Sequence, residues 1–474
     1  MRSHAETLRT LLASGPRTPR QVIEKMGVSQ PTLSRAVAEL GSEIVRIGAA
    51  RSIQYALRDT QRGLPEMAVQ RVDAAGQISL LGTLIPVRPE GFVILTADGK
   101  TLHSDGLPWW MADMRPAGYL GRAYAARYAA DLGLPLRLND WSDTQALRAL
   151  LAHGHDLIGN LLIGELAREQ FLTSPLPEPI TVQQKVEAYP RLAQEAAQGE
   201  RPGSSAGGEQ PKFTARAVTR KSPGSPKTFA APLGGGLPEE QAGGSPLRGA
   251  QYVIVKFSER EDSPVSERWR DILLAEHLAL ATLREAGIPA AHTQLVDAAG
   301  QRFLEVERFD RVGELGRHAL HSLAMLDAEF IGAGTEAWPA ITRRLAEASI
   351  VQQDDVIGAA LLWAFGNLIG NTDMHNGNLS FTGDAGAPYA LAPAYDMSPM
   401  AFAPRSGGGL PDSLPAASIR ADVANDIWRQ AEALARSFLD RVKAAEGFSQ
   451  RFAPCVAGLE AHVEQAAQKI ARLG

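Results

Sequence analysis

The start of the chain alternates apolar and polar positions at helical spacing. Leu8, Leu11 and Leu12 fall on one face of a first predicted helix. Thr18-Pro-Arg-Gln21 then places a capping threonine before a proline at the first helical position and a glutamine at the third, which is a capping-box sequence. The pattern therefore predicts a second helix that ends near Met26.

A third helix is predicted over residues 30–40, after a turn at Gly27 and with Ser29 as its cap. The apolar positions that face inward are Leu33, Val37 and Leu40. The outward positions are polar: Gln30, Thr32, Ser34 and Arg35. Residues 44–58 then show two short strands around a Gly/Ala turn, with Arg46 and Arg51 among them. The whole segment resembles a winged helix-turn-helix.

The middle of the chain has predicted strands and helices but no candidate catalytic residues. Apolar alternation between residues 77 and 95 predicts a small β unit, and helical segments follow over 121–132 and 144–171. His153 and His155 suggest a metal site, but no third ligand stands at metal-site spacing, which favours a solvated helix junction.

In the second half, an apolar β-like run over residues 252–257 contains one lysine, Lys256. Residues 219–250 before it are rich in Gly, Pro and Ser without periodicity, which predicts a mobile excursion between two strands. The chain to about residue 438 is mainly helical after that. Helical periodicity predicts helices over 265–286, 422–445 and 453–473, the last two for packing.

One polar array in this helical part carries candidate chemistry. Asp373, His375 and Asn378 form a D-x-H-x-x-N pattern after an apolar run over 359–369, and Asp396 follows a short strand-like segment. Phosphoryl transfer from ATP needs a carboxylate to orient a hydroxyl, and an amide and a second carboxylate to hold Mg²⁺. The alternative is an Asn/Asp-rich turn with Asp373 as a helix cap. The four residues together favour phosphoryl transfer.

A glycine-rich stretch precedes the β-like run and adds a candidate phosphate site. Its residues are Gly207, Gly208, Glu209, Gln210, Pro211 and Lys212. Small residues there let backbone N–H groups approach phosphate oxygens, although the stretch is not G-x-x-x-x-G-K-[ST] and a P-loop fold is not indicated. Lys256 is either a phosphate-contacting lysine or an edge-strand lysine that faces water.

Composition narrows the class of protein. With 474 residues, 45% hydrophobic and 21% charged, the chain predicts two or three globular domains. No apolar run approaches the roughly 20 residues of a membrane span, which argues against a membrane protein. A single cysteine, Cys455, excludes a disulfide framework and a multi-cysteine zinc site. The first residues lack the apolar core of a signal peptide, so a cytoplasmic protein is expected.

The charge is distributed unevenly along the chain. The net charge is −5, but residues 1–58 carry nine Lys/Arg and four Asp/Glu, or +5, which leaves −10 for the remainder. The basic end is therefore expected to bind DNA, with Arg35 at a base edge and Arg46 and Arg51 along phosphates. A small helical domain used for protein contacts is the alternative.

Several motifs together resemble a known family over about residues 75–440. They are Asn371-Thr-Asp373-Met-His375-Asn-Gly-Asn378-Leu-Ser, Tyr395-Asp396 and Val306-Glu307-Arg308-Phe309-Asp310-Arg311. This order is similar to that of the HipA-like serine/threonine kinases, toxins of bacterial toxin–antitoxin systems. The resemblance implies an α+β, two-lobed protein-kinase-like fold behind the winged helix-turn-helix domain. The expected division is 1–60 for the winged domain, 75–180 for an N-terminal subdomain, 181–312 for the kinase N-lobe and 313–474 for a helical C-lobe.

The resemblance also implies roles for individual residues. Asp373 would act on the substrate hydroxyl, Asn378 and Asp396 would hold Mg²⁺, and Lys256 would contact phosphates while paired with Glu276 or, alternatively, Glu267. The expected ATP contacts also include the stretch Gly207 to Lys212, the backbone at Glu307, Arg308 and Phe309, and His375 and Tyr395. The family's autophosphorylated serine would fall on Ser205, with Ser204 as its rival.

The partners implied are ATP, Mg²⁺, an unidentified protein substrate and DNA. HipA-like kinases usually take DNA binding from a separate antitoxin, so the fused winged domain leaves open whether this chain needs one. A homodimer is also left open. Two other functions are compatible with these residues: a DNA-binding transcriptional regulator whose kinase fold senses nucleotide, and a metal-dependent nuclease.

Overall fold

Helical and sheet modules alternate along the chain in a computed structural model that describes residues 3–199, 208–220 and 247–473. Within these ranges, none of the helices combines the length and the apolar character that a bilayer crossing needs.

The first module, called the winged domain below, has three helices followed by an antiparallel strand pair, the wing, in the order that the sequence predicts. It contains α1 (His4–Leu12), α2 (Pro19–Met26), α3 (Gln30–Leu40), β1 (Ile44–Ile47) and β2 (Gln54–Leu57). The capping box is present, because Thr18 accepts from the N–H of Gln21 and Gln21 accepts from that of Thr18. Gly27 ends α2 in the left-handed region at φ 63°. Ser29 precedes α3 but makes no side-chain cap, since its hydroxyl bonds to that of Thr32 instead.

The strands of the wing are packed on the next module. Val45, Ile47 and Ala56 are buried against Ile85 and its neighbours in a shared apolar cluster. Gly48 N–H also donates to Thr101 Oγ1 at 2.7 Å. The wing therefore has one covered face, and the winged domain is held against the middle of the chain.

The middle module is an antiparallel five-stranded sheet with three helices. Its elements are β3 (Met67–Val72), β4 (Ile78–Pro86), β5 (Phe92–Thr96), β6 (Thr101–Ser104), α4 (Gly118–Tyr128), α5 (Asp143–His153), β7 (Leu161–Ile163) and α6 (Gly164–Thr173). The strand order is β6-β5-β4-β3-β7. The helix expected over 144–171 is wrong in part, because β7 interrupts it. A short apolar run fits a helix or a buried strand equally well, and only pairing with β3 decides.

The third module is a four-stranded sheet flanked by two helices. Its elements are α7 (Lys185–Ala197), β8 (Lys212–Arg220), β9 (Leu247–Phe257), α8 (Pro264–Glu285), β10 (Thr293–Ala298) and β11 (Gln301–Glu307), with strand order β10-β11-β9-β8. The ends of the predicted excursion, 219–220 and 247–250, are strand residues, while 221–246 lie outside the described residues. A small pair, β12 (Arg311–Val312) and β13 (Gly316–Arg317), follows.

The last module is helical around a large core. Its elements are β14 (His321–Ser322), α9 (Leu323–Phe330), α10 (Trp338–Glu347), α11 (Asp355–Leu368), β15 (Ser380–Thr382), β16 (Ala390–Leu391), α12 (Asn425–Ala444) and α13 (Ala453–Ile470). Apolar residues cover all sides of α11, as expected for a central helix. Phe365 on α11 meets Phe438 on α12 edge to face, at 6.3 Å between ring centroids. The turns after α11 and β16 open on a cleft facing the four-stranded sheet.

Candidate active site

The centre of the cleft is an ion cluster built by three segments from two modules, β9 and α8 of the third module and the turn after β16 of the last module. Lys256 on β9 points its ammonium at Glu276 on α8, with Nζ 2.6 and 2.8 Å from the two carboxylate oxygens. The same Nζ lies 2.5 Å from Oδ1 of Asp396, which follows β16. Lys256 and Glu276 are buried, so Lys256 is not an edge-strand lysine facing water.

The structure also decides between the two candidate partners of Lys256. Glu276 is bonded to it, whereas Glu267 pairs with Arg451 on the surface, at 2.6 Å. The two glutamates are nine positions apart on α8, about two and a half turns, so they lie on opposite sides of the helix.

The pKa values in the cluster follow from its charges. Burial alone would raise the pKa of Asp396, but Lys256 and Lys212 lower it below its usual value. Burial would likewise lower the pKa of Lys256, and the carboxylates of Asp396 and Glu276 raise it instead. Asp396 therefore stays a carboxylate and Lys256 an ammonium at neutral pH.

A second lysine brings a further positive charge to this place. Lys212 stands opposite Lys256 in the pairing of β8 with β9, and its side chain is buried. Burial lowers its pKa, while Asp396 opposes that shift. Two cations that flank one carboxylate at the edge of a cleft suit a ligand with several negative charges.

The D-x-H-x-x-N array forms a tight loop held by the side-chain amides of two asparagines. Asn378 Nδ2 donates to the Asp373 carbonyl at 2.8 Å, and Asp373 N–H donates to Asn371 Oδ1 at 3.0 Å. His375 Nε2 is 4.0 Å from Asp373 Oδ1. The Asp373 side chain is 54% exposed, which leaves its carboxylate open to a substrate.

Asn371 is a site residue to which sequence reasoning assigned no role. Its buried amide also donates to the carbonyl of Asp396 at 3.3 Å. Asp396 has φ 50°, a left-handed conformation that costs a non-glycine residue about 1–3 kcal/mol. Asn371 thus ties the D-x-H-x-x-N loop to the strained residue that carries the second carboxylate.

Two cavities meet at Lys212, Lys256 and Asp396. The larger, of about 420 Å³, contains most of the predicted ATP-site residues: Gly208, Lys212, Lys256, Glu307, Arg308, Phe309, His375, Asn378, Tyr395 and Asp396. The smaller, of about 230 Å³, contains Asp373 together with Glu209, Gln210 and Pro211. Asp373 thus lines the smaller cavity with three of the predicted ATP contacts, Glu209, Gln210 and Pro211, while its loop neighbours His375 and Asn378 line the larger one. Gly207, Ser204 and Ser205 lie outside the described residues.

The larger cavity has two aromatic rings in its wall. The rings of Phe309 and Tyr395 lie 5.9 Å apart, and the Tyr395 hydroxyl donates to the carbonyl of Gly377 at 2.9 Å. Arg308 lines the cavity, but its guanidinium is bonded to Asp310 at 2.9 and 3.0 Å. Its backbone N–H donates to the Tyr252 carbonyl. The Arg308 side chain therefore stabilises the turn that follows β11.

One wall of the larger cavity comes from the middle module, which sequence reasoning left without chemistry. The residues are Ala112, Asp113, Arg115, Pro116, Ala117 and Ile158. Asp113 accepts from the N–H and hydroxyl of Ser322 at 2.7 and 2.8 Å, which fixes this wall to the last module. No local pattern could have revealed these residues, because they reach the cleft only through the packing of distant segments.

Two side chains in the cleft carry oxygen atoms that suit a magnesium ion bound to phosphates. Asn378 and Asp396 supply amide and carboxylate oxygens, and Mg²⁺ is usually held by one or two carboxylates plus substrate phosphates. Among the described residues, no group of three His, Cys, Asp or Glu could hold a metal by itself. His153 and His155 are engaged elsewhere, since their Nδ1 atoms bond to Tyr124 and Gln170.

The winged domain presents the predicted polar set. Gln30, Ser34, Arg35 and Arg46 are exposed, and Thr32 is half-buried. Arg35 lies along α3, with Nη2 3.4 Å from Thr32 Oγ1. The side chain of Arg51 lies outside the described part of the chain. The described residues thus form one polar face along α3, with Arg46 on the wing.

Comparison with known proteins covers almost the whole chain. Residues 204–468 match the HipA-like C-terminal domain, and residues 64–172 match the middle domain of YjjJ-like toxins. Toxin YjjJ of Escherichia coli (strain K12) is 37% identical over 469 residues, which cover 98% of this chain and 99% of that protein.

Two solved structures are similar at low identity. A chain of the Shewanella oneidensis MR-1 toxin–antitoxin complex of HipA, HipB and operator DNA is 15% identical, with a TM-score of 0.46, over 85% of this chain and 97% of that one. The Helicobacter pylori proinflammatory kinase CtkA is 14% identical, with a TM-score of 0.31, over 50% of this chain and 95% of that one. With TM-scores below 0.5, neither similarity contributes to the family assignment.

The family assignment rests on the sequence matches. Their order along the chain agrees with the modules of the structure, and the expected fold class, α+β with a HipA-like kinase fold, is confirmed. The chain belongs to the HipA-like toxin family, with YjjJ of Escherichia coli as a relative along its full length.

Proposed function

We propose that this protein is an ATP- and Mg²⁺-dependent serine/threonine protein kinase that acts as a toxin and binds DNA through its own winged domain. The observation that carries the proposal is the ion cluster of buried Lys256 and Glu276 with half-buried Asp396, beside Lys212 at the junction of the two cavities. A degenerate nucleotide sensor would not need to keep this costly buried charge together with Asp373 and Asn378.

The two cavities suggest how the substrates would be arranged. ATP in the larger cavity would place its base near Phe309 and Tyr395 and its phosphates at Lys212 and Lys256. Mg²⁺ held by Asn378 and Asp396 would neutralise phosphate charge. The protein substrate would bring its hydroxyl through the smaller cavity.

Asp373 would accept the proton of that hydroxyl. Its carboxylate is exposed in the smaller cavity, and Asn371 and Asn378 fix the backbone on both sides of it. Since catalysis here is mainly positioning and charge stabilisation, this rigid loop is the main contribution of the chain to the step.

Autophosphorylation belongs to the same proposal. A phosphate on Ser205 would repel ATP from the adjoining glycine-rich segment and silence the enzyme. Mass spectrometry of protein made with ATP should find phosphate on Ser205, and none in the Asp373→Asn variant. Phosphate on Ser204 instead would move the assignment by one residue.

DNA binding is supported by the exposed polar face of α3 and by the net charge of +5 over residues 1–58. A separate antitoxin and a homodimer are both compatible with this surface. The packing of the wing on the middle module would carry the kinase lobes along with the DNA-bound domain.

One experiment separates the three functions. The protein is incubated with γ-labelled ATP, Mg²⁺ and DNA, beside the Asp373→Asn variant. Label on protein, lost in the variant, supports the kinase. DNA cleavage without label supports the nuclease, and ATP binding with neither product supports a nucleotide-sensing regulator.

A further inference from the structure

The glycine-rich segment, here defined as Gly208–Lys212, is attached to the middle module at the first turn of α4. Tyr119 N–H donates to the carbonyl of Gly208 at 2.9 Å. One turn further along α4, the guanidinium of Arg122 is ion-paired with the carboxylate of Glu209. Backbone and side-chain contacts thus hold two successive residues of this segment.

The contact requires glycine on the α4 side. Gly118 has φ 58°, and a Cβ there would lie 2.4 Å from the Gly208 carbonyl oxygen and 2.8 Å from its nitrogen. Real Cβ atoms do not approach backbone so closely, so any side chain at Gly118 would push the segment away. The ring of Tyr119 also meets Phe257 of β9 edge to face, at 6.4 Å, which fixes the turn to the sheet.

The attached segment borders the lysine at the junction of the cavities. A Cβ on Gly208 would lie 2.9 Å from Lys212 Nζ, so the Gly208 backbone runs directly beside that ammonium. Gly208 and Lys212 line both cavities. A displacement of Gly208 would therefore alter the place where phosphates are expected.

We propose that Gly118, Tyr119 and Arg122 of the middle module are positioning residues that hold the glycine-rich segment over the phosphates of ATP. This inference rests on the proposed binding of ATP in the larger cavity. Under this proposal, the middle module contributes to nucleotide binding by fixing the position of the glycine-rich segment.

The test compares two glycines of the same module. Gly118→Ala introduces a side chain at positive φ and against Gly208. Gly133→Ala introduces one at nearly the same φ, 62°, with no atom within 4 Å of the new Cβ. Both variants place a side chain at a similar positive φ, so a difference between them reports the contact with Gly208.

Two measurements are made on the full-length protein. In nucleotide-free protein, amide hydrogen exchange of Tyr119, which donates to Gly208, and of Gly208–Phe213 should become at least tenfold faster in Gly118→Ala and stay unchanged in Gly133→Ala. The Kd and KM for ATP should rise about tenfold in Gly118→Ala with a smaller change in kcat, and less than twofold in Gly133→Ala. Equal exchange rates and equal Kd values in the two variants would overturn the proposal.

A charge swap covers the case in which Gly118→Ala does not fold. Arg122→Glu should speed exchange of the segment, and Arg122→Glu with Glu209→Arg should restore it. No rescue would count against the proposal. If wild-type protein binds no ATP, the proposed function fails, while the exchange data still decide whether α4 holds the segment.

Discussion

At the residue scale, the two carboxylates to which different roles are proposed line different parts of the cleft. Asp373 lies in the smaller cavity and Asp396 in both, next to Lys256. This separation allows binding and chemistry to be removed one at a time.

Asp396→Asn should weaken Mg²⁺-dependent ATP binding at least tenfold, since it removes a metal ligand and leaves two buried lysines with less compensation. Asp373→Asn should leave ATP affinity within about twofold while abolishing transfer. Calorimetry with Mg²⁺ and with EDTA measures the first, and a γ-label assay the second. Equal loss of ATP affinity in both variants would contradict this division of roles.

His277 should make the folded state acid-sensitive. Burial, with the nearby Arg284, lowers its pKa to about 4, and its Nδ1 is bonded to Thr293 Oγ1 at 2.9 Å. The unfolded chain takes up this proton near pH 6.5, so between pH 6.5 and about 4 it binds more protons than the folded chain. Stability therefore falls as pH falls, by about 2 kcal/mol from this group at pH 5.

The check is His277→Gln, which keeps a polar side chain without the titration. Urea unfolding at pH 7.5 and pH 5 should show a smaller loss of stability in this variant than in wild type. The exposed His4→Gln serves as control and should behave as wild type. An unchanged pH dependence in His277→Gln would exclude this residue as the source.

At the element scale, α3 and the wing divide the expected DNA contacts. Arg35 lies on the exposed face of α3 beside Thr32, while Arg46 is the exposed residue between Val45 and Ile47, whose side chains are packed on the middle sheet. A helix in the major groove reads bases, and a wing contacts phosphates.

Arg35→Ala should lower the preference for the best sequence selected from a random DNA library, by about 1–3 kcal/mol. Arg46→Ala should weaken binding to all sequences alike and reduce the salt slope by about one. Fluorescence anisotropy across a salt series measures both. Binding that does not depend on salt would contradict the DNA interface.

At the scale of the whole molecule, buried ion pairs join the middle module to the end of β11. Asp310 is bonded to Arg308 and Arg311, and it accepts from the N–H of Gly159 at 3.1 Å. The two arginines and Asp310 are almost fully buried, and the arginines lower the pKa of Asp310 against the effect of burial.

Asp310→Asn should destabilise this junction by about 3 kcal/mol or more, because two buried guanidinium groups lose a partner. Glu285→Gln, which breaks an exposed pair with Arg441, should cost less than about 1 kcal/mol. Urea unfolding with hydrogen exchange over residues 156–163 and 306–317 measures both. Similar small losses of unfolding free energy in the two variants would mean that the buried ion pairs do not stabilise the protein.

Local sequence patterns determined the parts of this protein that depend on neighbours along the chain. The capping box at Thr18, the turn at Gly27 and the D-x-H-x-x-N loop from Asp373 to Asn378 are local, so spacing alone predicts them. The predicted strand with Lys256 is likewise present. Periodicity and side-chain chemistry act over a few residues, and these features need nothing more.

Only the tertiary structure decided what meets across the cleft. It selected Glu276 over Glu267, turned residues 161–163 into an edge strand and placed Asp373 in the smaller cavity. It also brought Asp113 to the larger cavity and Gly118 against Gly208. Each outcome depends on the packing of segments far apart in the chain. The energy of such contacts comes from burial and geometry in three dimensions, which a one-dimensional pattern of residues does not contain.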